Sequence, residues 1–385
     1  MTTSLSSRDR MLAALECRQP DHVPCCFSAF QSLRQQCTSQ AEFLDRQLEM
    51  GLDAAVIIPS VPLRHSSLVQ IREWSENLPG EAYPILHKEY KTPAGTLSTT
   101  VSKSEDWPWG DHVPFMDDFL IPRSRKFLIT PDDSLEALRY LLPPPTARDI
   151  IQFRESARRA KSLAAERDLL TVCCYGMIGD LACWLCGMNE LIMLMVYNPD
   201  FVQQLLNVIE DWNRQCMEVA LEEGVDLFVR RAWYENADFF PPSEYRQFIL
   251  PTLRRDVEMV HQAGVKFGYL ISCVSMPLID MIIAAGVDVL IGVDPAQDRT
   301  MDMPLLKQKA SGKMCLWGGV CGYLTVECGT PGQIAEQVRQ AISILSPGGG
   351  FILAPVTNIR ADTEQAWENV RALIETWRSM RSEPL

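Results

Sequence analysis

The 385-residue chain has no long apolar run and no cluster of basic residues. A helix that crosses a bilayer needs about 20 consecutive apolar residues, and no stretch of this sequence approaches that length. The formal net charge is −13, with 49 acidic against 36 basic residues. An acidic chain without a basic stretch is poorly suited to nucleic acid or to an anionic membrane surface, and we expect neither as a partner.

Histidine is also scarce, no secretion signal is visible, and cysteine is plentiful. The chain has five histidines and 13 cysteines. The polar stretch 1–10 leads into a predicted helix and lacks the apolar core of a signal peptide. Many cysteines without such a signal indicate reduced thiols rather than a disulfide framework. The sequence therefore predicts a soluble, cytoplasmic protein.

The most informative pattern is a helical run that ends in glycine and is followed at once by a short apolar strand. Glycine after the last helical turn adopts the left-handed conformation at little steric cost. Repetition of this unit predicts alternating strands and helices, and hence a parallel sheet. The pattern occurs at Gly51, Gly224, Gly264 and Gly286, and more loosely at Gly312 and at Gly348-Gly349-Gly350.

Eight apolar segments have the length and composition of strands that are covered on both faces. They are Val23–Phe27, Ala54–Ile58, Leu169–Cys174, Asp226–Arg231, Lys266–Ser272, Val287–Asp294, Met314–Val320 and Phe351–Val356. A chain of this length is long for one domain, but an α/β barrel with insertions reaches it. We therefore predict a single domain over residues 1–385, folded as a (β/α)8 barrel of the triosephosphate-isomerase (TIM) type.

Residues 59–146 do not fit the repeat and are predicted to form a long insertion after the second strand. They contain a predicted hairpin, Ile85–Tyr90 with Thr96–Lys103, and an aromatic stretch, Asp106–His112. An insertion at this place lies at the opening of a barrel, where ligands bind. We expect it to act as an aromatic lid or as a dimer contact.

Polar side chains follow the ends of several predicted strands, and such ends meet at one opening of a barrel. Arg230 and Arg231 are expected to hold a substrate carboxylate through paired hydrogen bonds. Glu235 and Asp294 are the candidates for general acid or base, and Tyr234 is a third catalytic candidate. The residues also allow a structural network, in which the arginines pair with these carboxylates. Further substrate contacts are expected from Tyr175, Trp317, Asn358, Arg360 and, arriving with the lid, His112.

Two cysteines that follow strand ends, Cys273 and Cys321, are candidate metal ligands. A catalytic zinc needs three protein ligands, and the histidines are poorly placed to supply one. Cys183 and Cys186 have CxxC spacing, but they lie in an apolar segment without a second pair. Buried free thiols are the better interpretation of that pair.

Several segments of the sequence resemble the uroporphyrinogen decarboxylase superfamily. Near the N-terminus, Arg10–Leu15 followed by Pro20–Pro24 fits the opening pattern of that superfamily, and Pro242–Pro251 resembles its central helix. The C-terminal part is similar to it at Leu316–Val320, Gly329–Pro331 and Gly348–Pro355. The resemblance spans most of the chain and implies the same barrel fold.

The resemblance is less specific for function. The true decarboxylases carry an Arg-Gln-Ala-Gly-Arg segment near the N-terminus, and the matching region here, Phe27–Arg34, lacks it. The zinc-dependent methyltransferases use His-x-Cys after the fifth strand and Cys after the last. Here these sites read Ile271-Ser272-Cys273 and Pro355–Asn358, so only Cys273 remains. The hairpin Tyr90–Leu97 resembles the less characterised methyltransferase-like members.

The resemblance thus implies an enzyme of the methyltransferase-like branch, acting on a small anionic substrate. A corrinoid (cobalamin) or a folate is the implied one-carbon partner, and zinc is implied only as far as the incomplete motif allows. A corrinoid protein and a second copy of the chain, as a homodimer, are the implied protein partners. Two alternatives stay open. One is decarboxylation of uroporphyrinogen or a related carboxylated ring, using Arg34, Arg230, Arg231 and Arg360, and the other is a tetrapyrrole- or corrinoid-binding protein without chemistry of its own.

Overall fold

The computed structural model describes residues 5–27, 29–174 and 176–381. Its strands are β1 (Ala55–Ile58), β2 (Gln70–Glu76), β3 (Ile85–Thr92), β4 (Gly95–Ser102), β5 (Ser124–Lys126), β6 (Leu170–Cys174), β7 (Leu227–Ala232), β8 (Lys266–Ile271), β9 (Val289–Val293), β10 (Cys315–Cys321) and β11 (Phe351–Val356). Seven of them form a parallel sheet in the order β1-β6-β7-β8-β9-β10-β11. Neighbours in this sheet follow one another along the chain apart from the four strands of the insertion, as in a TIM-type barrel.

The remaining predicted strand, residues 23–27, lies between the two edges of this sheet. Cys25 bridges to Leu353 of β11, and Cys26 bridges to Asp53 just before β1, both in parallel. The Cys26 N–H donates to the Leu353 carbonyl at 3.0 Å, and the Asp53 N–H donates to the Cys25 carbonyl at 2.8 Å. The eight predicted segments are therefore all present, although this one is too irregular to count as a full strand.

Helices follow most strands of the parallel sheet. They are α1 (Ser7–Leu15), α2 (Gln31–Gln35), α3 (Gln40–Glu49), α4 (Leu135–Leu141), α5 (Ala147–Ala165), α6 (Gly179–Cys186), α7 (Met188–Tyr197), α8 (Pro199–Glu222), α9 (Pro242–Glu244), α10 (Leu250–Gln262), α11 (Ile279–Ala284), α12 (Met303–Ala310), α13 (Pro331–Leu345) and α14 (Glu364–Met380), with short π-helices at Tyr245–Ile249 and Gly322–Glu327 and a 3-10 helix at Met276–Leu278. The glycines predicted to end helices have positive φ: 71° at Gly51, 67° at Gly224 and 72° at Gly264. That part of the prediction is confirmed.

Two buried clusters lie on the two faces of the parallel sheet. The smaller one takes alternate residues of the strands, including Leu170 and Val172, Leu227 and Val229, Val289 and Ile291, Cys315 and Trp317, and Ile352 and Ala354. Because side chains alternate along a strand, these residues mark the inner face of the curled sheet. Helix α1 adds Met11, Ala14 and Leu15 to this cluster. The Arg8 N–H at the start of α1 donates to the Asp168 carbonyl just before β6, so α1 covers the amino-terminal end of the strands.

The insertion forms a separate antiparallel sheet in the order β2-β3-β4-β5, and β3 and β4 make the hairpin at the predicted place. A small core lies beneath it, formed by Leu86, Val101, Trp107, Val113 and Leu120. Trp107, which belongs to the stretch predicted as an aromatic lid, is thus buried within the insertion itself. Trp109 in the same stretch is exposed.

Among the described residues, no single helix is long and apolar enough to cross a membrane. Helices α6 and α7 reach the required length and hydropathy only as a pair, and they meet at an angle of 102°. Every residue of α6 is buried.

Candidate active site

A cluster around Arg231 lies at the carboxyl ends of β6 and β7. Arg231 follows Leu227 and Val229 on the inner face of β7, and 23% of its side chain is exposed. Its Nη1 lies 2.8 Å from Oδ2 of Asp180, and its Nη2 lies 3.1 Å from Oδ2 of Asp118. The guanidinium carbon also lies 4.8 Å from the ring centre of Trp184. Of the two arginines predicted to hold a substrate carboxylate, Arg230 and Arg231, it is Arg231 that lies at the opening.

Asp118 comes from the insertion and receives three donors. The Tyr234 hydroxyl donates to its Oδ1 at 2.6 Å, and the Trp184 Nε1–H donates to the same oxygen at 3.0 Å. Arg231 Nη2 supplies the third donor, and the Asp118 side chain is still 51% exposed. Burial, and then the hydrogen bond to Asp118, raises the pKa of the Tyr234 phenol well above its usual range, so the phenol stays a donor. The insertion therefore reaches the opening through a carboxylate.

Asp180 is the most deeply buried acid of this cluster. It lies in the first turn of α6, and its side chain has no exposed surface. Its Oδ1 accepts the Tyr234 N–H at 2.7 Å. Burial raises the pKa of Asp180 to about 7, although the charge of Arg231 opposes that effect. A carboxyl group with this pKa exchanges a proton at neutral pH, which is the property required of a general acid or base.

Arg230 lies on the other face of β7 and is fully buried. Its Nη2 contacts both Glu235 oxygens, at 2.7 and 2.9 Å, and its Nη1 donates to Asp256 at 2.8 Å. The Tyr269 hydroxyl and the Gly179 N–H complete the set of donors to Glu235, at 2.6 and 2.7 Å. Burial raises the pKa of Asp256 to about 6, although Arg230 opposes that effect.

This geometry corresponds to the structural network that the sequence left open. Adjacent residues of a strand point to opposite faces, so Arg230 and Arg231 cannot both face the opening. The guanidinium of Arg230 is occupied by two carboxylates, and both oxygens of Glu235 already accept hydrogen bonds from Arg230, Tyr269 or Gly179, whereas Oδ2 of Asp180 accepts none. Neither residue is placed to touch a substrate, and both instead support the strand that carries Arg231.

Asp294 follows β9 and is also buried. Its Oδ1 accepts the backbone N–H groups of Ala296 and Gln297, at 2.9 and 3.0 Å. Burial raises the pKa of the Cys321 thiol to about 12, and the nearby charge of Asp294 adds to this effect. Burial also raises the pKa of Cys273, again with help from Asp294. The structure thus brings these three predicted residues together.

The same residues do not fit a three-ligand zinc site. In the described part of the chain, no group of three or more His, Cys, Asp or Glu side chains is arranged to hold a metal ion. Zinc binds cysteine as the thiolate, and the surroundings of both thiols favour the protonated form. We therefore derive no catalytic step through zinc.

The other predicted contacts are dispersed. Trp317 is buried on the inner face of the sheet, where its Nε1–H donates to the Cys26 carbonyl at 3.0 Å. Asn358 is held by Gln31, with Nδ2 lying 2.8 Å from Oε1. His112 pairs with Glu73 of the insertion at 3.0 Å, and the Arg360 side chain is exposed. Tyr175 lies outside the described residues.

Apolar side chains surround the open end of the inner face. Ile57 shares this face with Ala55 of β1, and it is 45% exposed. Cys174 ends β6 on the same face, and Leu270 of β8 stands in register beside Arg231. A half-exposed isoleucine on the inner face of a barrel strand marks an unfilled opening above it. The opening thus combines a cation with an apolar surface.

Sequence reasoning missed Asp180, Trp184 and Asp118. Asp180 carries a signal that could have been read, since it is the one charged residue of the otherwise apolar segment 179–186. Trp184 lies one turn further along the same helix. Asp118 carries no such signal, because 113 residues separate it from Arg231.

Comparison with known proteins agrees with this architecture. A methyltransferase from Methanosarcina mazei superimposes with a TM-score of 0.61 at 17% sequence identity, covering 98% of this chain and 99% of that one. A B12-independent methionine synthase from Shewanella sp. W3-18-1 gives a TM-score of 0.48 at 10% identity, covering 93% and 97% of the two chains. At 17% identity the first of these similarities shows the fold alone, and the agreement with this architecture rests on that one. No curated protein matches the sequence.

The family model for uroporphyrinogen decarboxylase (URO-D) matches residues 116–380. This match begins inside the insertion, shortly before Asp118, and includes every strand of the parallel sheet except β1. It also contains the whole Arg231 cluster. The chain therefore belongs to the uroporphyrinogen decarboxylase family.

Proposed function

We propose that this protein is a methyl-transferring enzyme of the family, which moves a methyl group between a small anionic substrate and a corrinoid or a folate. The observation that carries the proposal is the pairing of Arg231 with Asp180 at the opening. Arg231 is a cation that can hold an anionic group, and the buried Asp180 beside it exchanges its proton near pH 7. The fold similarity to a methyltransferase supports the same reaction class.

The residues of the opening have different roles in this reaction. Arg231 holds the anionic group of the substrate, and the apolar side chains of Ile57 and Leu270 contact its body. When a methyl group leaves an oxygen atom, that atom gains negative charge, and Asp180 donates its proton to it. In the reverse direction the ionised Asp180 takes the proton back. Tyr234 orients Asp180 through its backbone N–H and keeps its own proton.

A corrinoid or a folate would accept or supply the methyl group from outside this residue set. In the described part of the chain, the histidine contacts lie elsewhere, as in His65 with the Leu141 carbonyl, His112 with Glu73 and His261 with Asp288. The opening therefore offers no imidazole ligand for cobalt. We treat the one-carbon partner as a second substrate, free or carried by a corrinoid protein.

Decarboxylation of a porphyrinogen is the weaker alternative. It requires several cations to hold several carboxylates. Of the four arginines considered for this task, Arg230 faces away from the opening and is already paired with Glu235 and Asp256. Arg231 is left as the arginine that the structure places beside a buried acid at the opening.

A corrinoid absorbance assay on the purified full chain, run with metal analysis, tests the proposal. We expect cob(I)alamin to convert to methylcobalamin with at least one methylated donor, without stoichiometric zinc. Arg231→Gln should lower this rate at least about 100-fold, because the anionic group loses its partner. Stoichiometric zinc that disappears in Cys273→Ser would contradict the site described above. Porphyrinogen decarboxylation without any corrinoid or folate turnover would contradict the proposed reaction.

A further inference from the structure

We infer that Arg231, Tyr234 and Trp184 form a carboxylate subsite, which the chain's own Asp118 fills and which the carboxylate of the substrate takes over on binding. This inference rests on the proposed function and narrows its substrate to a small carboxylic acid with an apolar body. Three donors converge on the Asp118 carboxylate: a guanidinium, a phenol and an indole. Convergent donors of different types on one carboxylate are typical of an anion site.

The donors and the acceptor differ in how firmly they are held. Trp184 lies on the fully buried helix α6, and Arg231 lies on β7 with Asp180 behind it. Asp118 lies in a turn of the insertion, and half of its side chain is exposed. The donors are thus held independently of Asp118, and the half-exposed Asp118 side chain can turn away from them towards solvent.

The charge balance decides what can replace Asp118. Arg231 is paired with two carboxylates, and removal of Asp118 leaves three donors without an acceptor. An incoming carboxylate restores the same charges and hydrogen bonds, whereas a neutral amide restores only part of them. The exchange is therefore selective for an anion, although the chain as a whole carries a net charge of −13.

The body of the ligand follows from the neighbouring inner face. Leu270 stands in register beside Arg231, and Ile57 of β1 is 45% exposed on the same face. A carboxylate bound at Arg231 places the rest of its molecule against these apolar side chains. An aromatic or branched aliphatic acid buries more of this surface than acetate does.

Asp118 then acts as an internal competitor of the substrate. A free carboxylate ligand can bind only while Asp118 is out of the subsite. Its apparent affinity is therefore its intrinsic affinity multiplied by the fraction of time that the subsite is empty. An occupancy of roughly 90% corresponds to a tenfold loss of affinity. Removal of Asp118 is therefore expected to tighten carboxylate binding about tenfold.

Titration calorimetry on the full chain, with benzoate and its neutral isostere benzamide at fixed ionic strength, tests this inference. We expect Asp118→Ala to bind benzoate about tenfold more tightly than wild type, and benzamide, which restores only part of the hydrogen bonds, to remain the weaker ligand in both proteins. Asp118→Asn keeps the size of the side chain without its charge, and it should give a smaller gain of the same sign. Asp111→Ala removes an exposed aspartate of the same insertion that pairs with Lys103, and it should change nothing.

Equal or weaker benzoate binding by both Asp118 variants would overturn the subsite, and so would benzamide binding as tight as that of benzoate. The absence of measurable benzoate binding in every protein would count against it in the same way. The methyl-transfer assay separates this inference from the proposed function. Turnover of an anionic methyl donor that has no carboxylate, without benzoate binding, removes the carboxylate subsite alone. Benzoate binding without any methyl transfer removes the proposed reaction alone.

Discussion

Arg230→Met is expected to lower the free energy of unfolding by about 3–5 kcal/mol at pH 7.5, because it leaves two buried carboxylates without a cation. Glu235 and Asp256 both contact the guanidinium and have almost no exposed side-chain surface. Methionine fills much of the same volume, so the loss comes from charge rather than from a cavity. Urea unfolding followed by circular dichroism measures the change.

The loss should be smaller at pH 5 than at pH 7.5. Without Arg230, burial raises the pKa of Asp256 further, and the folded variant holds a proton that the unfolded chain releases. Stability of the variant therefore falls as pH rises. Arg254→Met, an exposed arginine on α10, is the matched control and should stay within about 0.5 kcal/mol of wild type.

A loss below about 1 kcal/mol, together with abolished substrate binding, would contradict the structural role of Arg230. It would restore the sequence-based prediction that Arg230 anchors the substrate. A large loss of stability in Arg230→Met alongside a normal unfolding curve for Arg231→Gln would separate the two arginines by function. The adjacent residues would then differ only in the face of β7 from which they project.

The parallel sheet was predictable because its signal is local. A glycine that follows a helical run predicts a left-handed backbone conformation at that one position, and Gly51 and Gly224 both have the positive φ that the pattern implies. The short apolar runs that follow such glycines predict the strands. The eighth segment, around Cys25, was also visible, although it pairs through single bridges rather than a regular ladder.

The site was less predictable because its contacts join distant parts of the chain. Side chains alternate between the two faces of a strand, so Arg230 and Arg231 are expected on opposite faces of β7. The prediction that both arginines bind substrate did not take this alternation into account. Asp180 was recognisable as a lone acid in an apolar segment. The approach of Asp118 depends on how the insertion packs against α6, where the Ile129 N–H donates to the Leu185 carbonyl. No local pattern encodes that docking.

Asp180→Asn is expected to lower methyl-transfer turnover by about 10²- to 10⁴-fold, since the amide cannot donate an acidic proton to the leaving atom. The amide keeps the shape of the carboxyl group and still accepts the Tyr234 N–H. In wild type, turnover that uses the protonated acid should fall as pH rises through about 7. Asp294→Asn is the competing variant. A full loss there, with Asp180→Asn unaffected, would return the acid role to Asp294.

The same substitution should change the pH dependence of stability, independently of any assay for turnover. The pKa of Asp180 rises from 3.8 to about 7 on folding, so between these values the folded chain holds a proton that the unfolded chain has released. Wild-type stability should therefore decline across that window, by at most about 4 kcal/mol from this group at 1.36 kcal/mol per pKa unit.

Asp180→Asn removes this decline, so the variant should be more stable than wild type at pH 8 and no more stable at pH 4. Unfolding curves at both pH values, with the exposed Asp132→Asn as control, measure the difference. A variant that is less stable than wild type at pH 8 would show that Arg231 depends on the Asp180 charge. The buried acid would then be a fixed carboxylate that positions Arg231, and the proton would have to come from another group.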